Sequence, residues 1–322
     1  MELGYSLSSE EHGPLDLTEH ARLAEQAGFG FALISDHFHP WTDRQGESPF
    51  VWGVLGAIAA ATERLVVGTG VTCPTIRMHP AIVAHAAATA ACLLPGRFFL
   101  GVGTGENLNE HVLGDRWPPA AVRREMLEEA IGVMRALWDG SLTSHRGDHF
   151  TVENARLYTL PEQPIDVIVA AGGPEAAALA GRCGDGLVST APDGSLLEAF
   201  ERAGGTGPAY GQLTVCWAES EAEARRIAHE WWPNAALKGP LGQELPLPSH
   251  FEAAAEMLDE DDVAAAVVCG PDSERHAEAI EAFFDAGYGR VYVHQVGPDQ
   301  EGFLRFYERE LLPRYARARV GS

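Results

Sequence analysis

The sequence predicts a (β/α)8 barrel, and three observations carry that prediction. Short apolar runs, about eight of them, alternate with helix-like segments along almost the whole chain. The glycine fingerprint that a doubly wound open sheet places after its first strand is missing. Gly101-Val102-Gly103-Thr104-Gly105-Glu106 follows the fourth run instead and lacks the final glycine. Polar clusters stand where runs end, above all Ser35-Asp36-His37-Phe38-His39-Pro40-Trp41, which closes the run 29–34. In a barrel, such strand ends converge on one mouth.

The elements follow in order. Residues 3–7 are the first strand. A helix capped by Thr18 runs to Ala27, with Leu17, Ala21 and Ala24 on one face and Gly28 as its stop. Residues 31–35 form the second strand and 50–61 a helix; the β-branched run 65–72 suits a strand buried on both faces. Pro80 opens an alanine-rich helix to about Leu94, and 98–103 is the fourth strand. Leu127, Ile131, Met134 and Trp138, spaced by four, three and four, mark a long helix over 122–138. Alternation over 144–159, turning at Arg146-Gly147-Asp148, reads as a hairpin excursion. Strands follow at 165–170 and 186–190 with a helix from Pro174 between them, then a strand at 213–218 and a helix at 222–231. Residues 233–250, rich in Gly, Pro and Leu, read as a loop insertion in one domain spanning 1–322. A helix at 273–286, a strand at 290–294 and a helix marked by Phe303, Tyr307 and Leu311 complete the chain.

The 322 residues, 46% apolar and 21% charged, are ample for a core. A formal charge of −23 excludes nucleic acid and anionic membrane as partners, because both select clustered positive charge. It also disfavours a highly anionic substrate unless a basic pocket is built for it. Cys73, Cys92, Cys183, Cys216 and Cys269 are scattered, odd in number and without a CxxC pair, so no disulfide framework or metal site is expected and a cytoplasmic location is. The N-terminus lacks the basic and apolar regions of a signal peptide, and no apolar run approaches a membrane span of roughly 20 residues.

Chemistry gathers at four strand ends. The second offers Asp36, His37 and Trp41: a hydrogen-bond acceptor, a proton carrier near neutral pH and an apolar wall. The same side chains could equally satisfy loop backbone. The third offers Gly70-Val71-Thr72, and the fourth Thr104, Gly105, Glu106 and Asn109. Glu106 sits where backbone can approach a planar ligand, so its carboxyl suits an acid; an N-cap role competes. The eighth offers His294 and Gln295, and the loop after the first strand carries Glu10 and Glu11. Ala170-Ala171-Gly172-Gly173-Pro174 opens a helix whose amides could hold a phosphate, with Thr190 nearby; a tight strand-to-helix turn explains it as well.

Taken together, these motifs resemble the luciferase-like superfamily of barrel oxidoreductases, in the branch that uses the 8-hydroxy-5-deazaflavin coenzyme F420. Within that branch the likeness is to the glucose-6-phosphate dehydrogenases. It is carried by Gly4-Tyr5, the segment 35–41, 68–75, GVGTGENLNE at 101–110, AAGGP at 170–174, GDG at 184–186 and HQVGPDQ at 294–300. The resemblance implies a catalytic set of His37, Glu106, Trp41 and Glu10. It implies a deazaflavin ring among Asp36, Gly70, Val71, Thr104, Gly105 and Asn109, a non-proline cis bond between Gly70 and Val71, and a coenzyme phosphate at Gly172, Gly173 and Thr190. A small-molecule substrate and a homodimer are implied too. One departure stands out. The positions where the dehydrogenases grip a sugar phosphate with three basic side chains read Asp193, Gly242 and Ala266, and their second active-site histidine reads Gln243, with Lys238 nearby. An uncharged alcohol, sugar or ketone is therefore expected. The alternatives are a sugar-phosphate dehydrogenase using Lys238 and other cations, an FMN-dependent monooxygenase, and a silent coenzyme-binding protein that would have no need of His37 or Glu106.

Overall fold

Among the residues that the computed structural model describes, 1–316, eight parallel strands close into a barrel in chain order. β1 (Glu2–Leu7), β2 (Phe31–Ile34), β3 (Val66–Thr69) and β4 (Phe98–Val102) pair in succession. β4 then pairs with β5 (Val167–Ala170), which leads through β6 (Gly186–Ser189) and β7 (Ala209–Cys216) to β8 (Arg290–Gln295), and β8 returns to β1. The strands are buried on both faces, as near-continuous apolar runs require. Inside the barrel, Phe31, Leu33, Phe99, Ile168, Val188, Tyr210 and Tyr292 form their own cluster. Gly68 makes room for it: a Cβ there would lie 2.1 Å from the Phe99 ring.

Helices α1 (Pro14–Ala27), α2 (Val51–Ala61), α3 (Pro80–Leu93), α4 (Ala120–Trp138), α5 (Pro174–Cys183), α6 (Gly194–Arg202), α7 (Glu221–Trp231), α8 (Pro248–Ala255) and α9 (Ser273–Asp285) follow in chain order, most of them packed around the barrel. None of the described helices is long and apolar enough to cross a membrane. The expected hairpin forms from Thr143–Arg146 and Thr151–Ala155.

Several expectations are corrected. α1 starts at Pro14, not after Thr18, because Gly13 and the proline preset the first turn; the Thr18 hydroxyl donates to the Pro14 carbonyl inside the helix, at 2.8 Å. The helix α6 was not expected between the sixth and seventh strands; it is short, and Asp193 caps it by accepting from the Ser195 amide. β7 begins at Ala209, four residues earlier than the apolar run suggests, since Gly211 packs under Phe283 instead of breaking the strand.

The segment 233–250 is not a plain loop. Turns at Pro233–Ala236 and Leu241–Glu244 lead into α8, followed by Glu260–Ala264 and a two-residue strand, Val268–Cys269. That strand pairs with Val215 and Cys216 at the C-terminal end of β7, while β6 pairs only with Ala209, Tyr210 and Gly211 at its other end. The barrel therefore splays between β6 and β7 at its mouth. A separate apolar cluster, including Trp232, Val263, Val267 and Val296, holds the insertion over that side.

Candidate active site

At the C-terminal ends of the strands lies a cavity of about 580 Å³. One wall, from β3, β5 and β6, presents backbone and small apolar groups: Gly70, Val71, Ala170, Ala171, Gly172 and Val188. The peptide Gly70–Val71 is cis, as the resemblance implied. The facing wall, from β1, β2, β7 and β8, is polar, with Glu10, His37, Gln212, Thr214 and His294. Over the top come Trp232, Asn234, Gln243 and Phe251 from the insertion. A flat ring system suits the first wall, and a hydroxylated substrate suits the second. Among the described residues, none lining the cavity is Lys or Arg.

His37 is nine-tenths buried, and its two ring nitrogens have different jobs. Nδ1 lies 3.1 Å from the His39 carbonyl, which can only accept, so Nδ1 carries a hydrogen. Nε2 lies 3.3 Å from Oε1 of Glu10. Burial by itself would raise the Glu10 carboxyl; the facing His37 ring, cationic once Nε2 takes a proton, and the Ser35 hydroxyl outweigh it and hold the group below the ordinary range. Ser8 adds a second hydroxyl, 3.2 Å from Oε2. Glu10 is thus a carboxylate beside an imidazole whose Nε2 is available to a proton. Trp41 tilts against the His37 ring with centroids 5.0 Å apart and is wedged on its far side by fully buried Phe251 at 5.2 Å.

Glu106 lines the cavity and makes no N-cap bond to the helical turn Asn107–Glu110 that follows it. Gly105, at φ +74, makes this exit from β4 possible: a Cβ there would sit 2.7 Å from the Cys73 sulfur.

Of the other residues singled out by sequence, Gly70, Val71, Gly172 and Thr190 line the cavity, whereas Asp36, Thr104, Gly105, Asn109 and Gly173 stand outside its lining. Asp36 is turned into a buried network instead. Thr72 donates to its Oδ2 at 2.7 Å and Arg77 to its Oδ1 at 2.9 Å. Arg77 also approaches Glu110, at 3.6 Å, and its amide donates to that carboxylate at 2.7 Å. Burial pushes the Glu110 carboxyl up to about 7. Asn109 clamps the β2 loop: its Oδ1 accepts the amides of Phe38 (2.9 Å) and His39 (3.2 Å). Sequence reasoning missed Arg77, Glu110 and Phe251, and it favours a packed helix end over a pocket wall for Trp231-Trp232, whereas Trp232 lines the cavity. Arg77 lies in a loop without periodicity, and Glu110 and Phe251 act across long sequence separations.

Gly242, Gln243 and Ala266 line the cavity, but Asp193 does not; it caps α6. Lys238 is exposed and outside the lining. The buried arginines are occupied. Arg77 faces Asp36 and Glu110, and Arg123 donates to the Pro118 carbonyl and to Gln243 and lies 3.5 Å from Glu244.

A closed parallel barrel whose mouth gathers an imidazole, carboxyls and a wall of small apolar groups has the arrangement of a barrel enzyme's active site. The chain belongs to the luciferase-like family: the model described as "Luciferase-like monooxygenase" matches residues 1–290. It is 39% identical to the F420-dependent glucose-6-phosphate dehydrogenase of Rhodococcus erythropolis, over 98% of this chain and 97% of that protein. The enzyme of the same description from Nocardia farcinica is 35% identical, over 98% of both. A solved F420-dependent secondary alcohol dehydrogenase, in complex with an F420–acetone adduct, superposes with a TM-score of 0.89 at 30% identity, covering 96% of this chain and 98% of that one.

Proposed function

We propose that this protein is an F420-dependent oxidoreductase that moves a hydride between the coenzyme and the carbinol or carbonyl carbon of an uncharged alcohol, sugar or ketone. The observation that carries this reading is the Glu10–His37 pair on the wall of a cavity whose described lining holds neither Lys nor Arg. The residues fit the coenzyme. Gly70, Val71, Ala170 and Ala171 give a flat ring a close backbone surface, and a Cβ on Gly172 would enter open space that a ligand can use. Gly172 and Gly173 open the ten-residue helix α5, whose free amides suit a phosphate diester, with Thr190 beside them. Asp36, Thr104, Gly105 and Asn109 shape the loops that carry the ring site. When bound, the deazaflavin supplies a ring carbon that accepts or returns a hydride and does not activate oxygen. His37 takes the substrate hydroxyl proton on Nε2, and the Glu10 carboxylate stabilises the resulting imidazolium. Glu106 keeps a carboxyl in the cavity for a proton or hydrogen bond, and Trp41 excludes water.

The names of the 35–39% identical relatives favour a sugar phosphate. The cavity favours a neutral ligand, as the phosphate of such an ester would meet Glu10 and Glu106 with no lysine or arginine among the described lining residues to offset them. Oxidation of glucose, glycerol and glucose 6-phosphate, followed by loss of the oxidised deazaflavin absorbance, tests this. The neutral substrates should show kcat/KM at least roughly tenfold higher. Preference for the phosphate ester would refute the substrate class, and tight FMN binding without F420 affinity would refute the coenzyme.

The protein is also proposed to be a cytoplasmic homodimer. All five cysteines are free, as a reducing compartment requires. In a chain of charge −23, α2 and α3 contain no Asp, Glu, Lys or Arg, and their outer faces expose Ala57, Ala60, Ile82 and Leu93. Light scattering should give twice the chain mass, falling to one chain mass for Ala57→Arg. A monomeric wild type overturns the proposal.

A further inference from the structure

The cavity wall carries a second imidazole, paired with a buried carboxylate outside the lining, that the proposed hydride chemistry leaves unused. His294, at the end of β8, lines the same wall as His37 and is only 3% exposed at its side chain. Its Nε2 lies 3.2 Å from Oε2 of Glu11, the residue after Glu10. The other Glu11 oxygen accepts the Gly297 amide at 2.8 Å, so this carboxylate is anchored as an acceptor and His294 presents its Nε2 hydrogen to it. In the neutral ring Nδ1 is then a bare lone pair. It is buried and has no hydrogen-bond partner, and among the described residues with such orphaned side-chain atoms His294 alone lines this cavity. Trp232 crosses the ring nearly edge-on, centroids 4.5 Å apart, and fixes its plane.

A buried acceptor without a donor is costly in a folded protein and is expected where a ligand supplies the donor. The groups around it fit the same ligand. Gln212, Thr214, Asn234 and Gln243 line the cavity as neutral hydroxyl and amide groups, so this side is polar without being charged. A simple alcohol would engage His37 and leave His294 unpaired. A substrate with a second hydroxyl would satisfy both.

We infer that His294 is a substrate-binding residue whose Nδ1 accepts a hydrogen bond from a second hydroxyl, so that the preferred substrate is a neutral polyol or sugar, not a mono-alcohol. This rests on the reading that the cavity takes an uncharged carbinol, and narrows it. A site built to bond a hydroxyl rejects an analogue lacking it far more strongly than a site differing by one methylene does.

The test compares 2-propanol with propane-1,2-diol, glycerol and glucose on the F420-loaded enzyme. Wild type should favour the polyols by at least roughly 100-fold in kcat/KM. Two variants separate binding from structure, because a side-chain amide on the shorter Asn reaches the Nδ1 position and on the longer Gln reaches the Nε2 position. His294→Gln keeps the contact with Glu11 and should lose most of the polyol preference while still oxidising 2-propanol. His294→Asn keeps an acceptor at the Nδ1 position and should retain part of the preference. The opposite order, Gln harmless and Asn damaging to all substrates alike, identifies a structural pair only and overturns the inference. So does a wild type that uses 2-propanol as well as glycerol. A readout without turnover accompanies these: nitrogen NMR of labelled His294 should show the Nδ1 signal move when glycerol or glucose is added. Movement without deazaflavin reduction upholds the polyol site and defeats the hydride-transfer reading. Turnover of 2-propanol without movement leaves hydride transfer standing and defeats the polyol site.

Discussion

His37→Ala should lower kcat by roughly 10²–10⁴-fold while leaving F420 affinity within a few-fold, because a positioned general base contributes on that scale. The geometry explains why no neighbour substitutes for it. The His39 carbonyl fixes the tautomer from one side, and Glu10 holds the other nitrogen at 3.3 Å with a charge ready to stabilise the protonated ring. His39 is engaged elsewhere, with its Nδ1 2.9 Å from the Leu108 carbonyl. The wall proposed for the coenzyme is built from β3, β5 and β6, and His37 is not part of it. Single-turnover reduction of the oxidised deazaflavin measures the rate, and equilibrium titration measures the affinity. An unchanged rate would remove His37 from the chemistry. A large loss of coenzyme affinity would instead make it a binding residue.

Arg77→Ala should destabilise the fold by about 3–5 kcal/mol, the range for removing one partner of a buried ionic group. Most ion pairs in this protein lie on the surface, such as Arg202–Glu198, and contribute about 0–1 kcal/mol each. Arg77 differs: its side chain is 7% exposed, and both carboxylates it faces, Asp36 and Glu110, are 1% exposed. Without it, Asp36 keeps only the Thr72 hydroxyl, and the loop carrying His37 is left to the Asn109 clamp alone. Urea unfolding at neutral pH measures the loss, and a change below about 1 kcal/mol would show that the network relaxes freely. Glu110 adds a pH signature. Its folded value of about 7 lies above the ordinary 4.5, so the fold favours the protonated form. That contribution is complete below pH 4.5 and is lost as pH rises towards 7. Glu110→Gln cannot ionise, so its melting temperature relative to wild type should climb across that window. A constant difference would show that Glu110 does not titrate there.

All eight barrel strands were legible in the sequence because each is a short apolar run ended by glycine or polar residues, and burial on both faces leaves few other residue types. α6 and the strand Val268–Cys269 were not, since elements this short carry too little period to stand out. The polar residues at strand ends were visible as candidates. Their partners were not: Glu10 meets His37 across 27 positions and Glu11 meets His294 across 283.

Composition and pattern alone therefore determined the architecture, the side of the barrel where chemistry gathers and the residue types available to it. Only tertiary structure decided which carboxylate faces which imidazole, that Asp36 is spent on Arg77, and that none of the described lysines and arginines lines the cavity. The reason is physical. Periodicity is a local property of neighbouring residues, whereas hydrogen-bond partners, burial and charge compensation depend on groups that only barrel closure brings together.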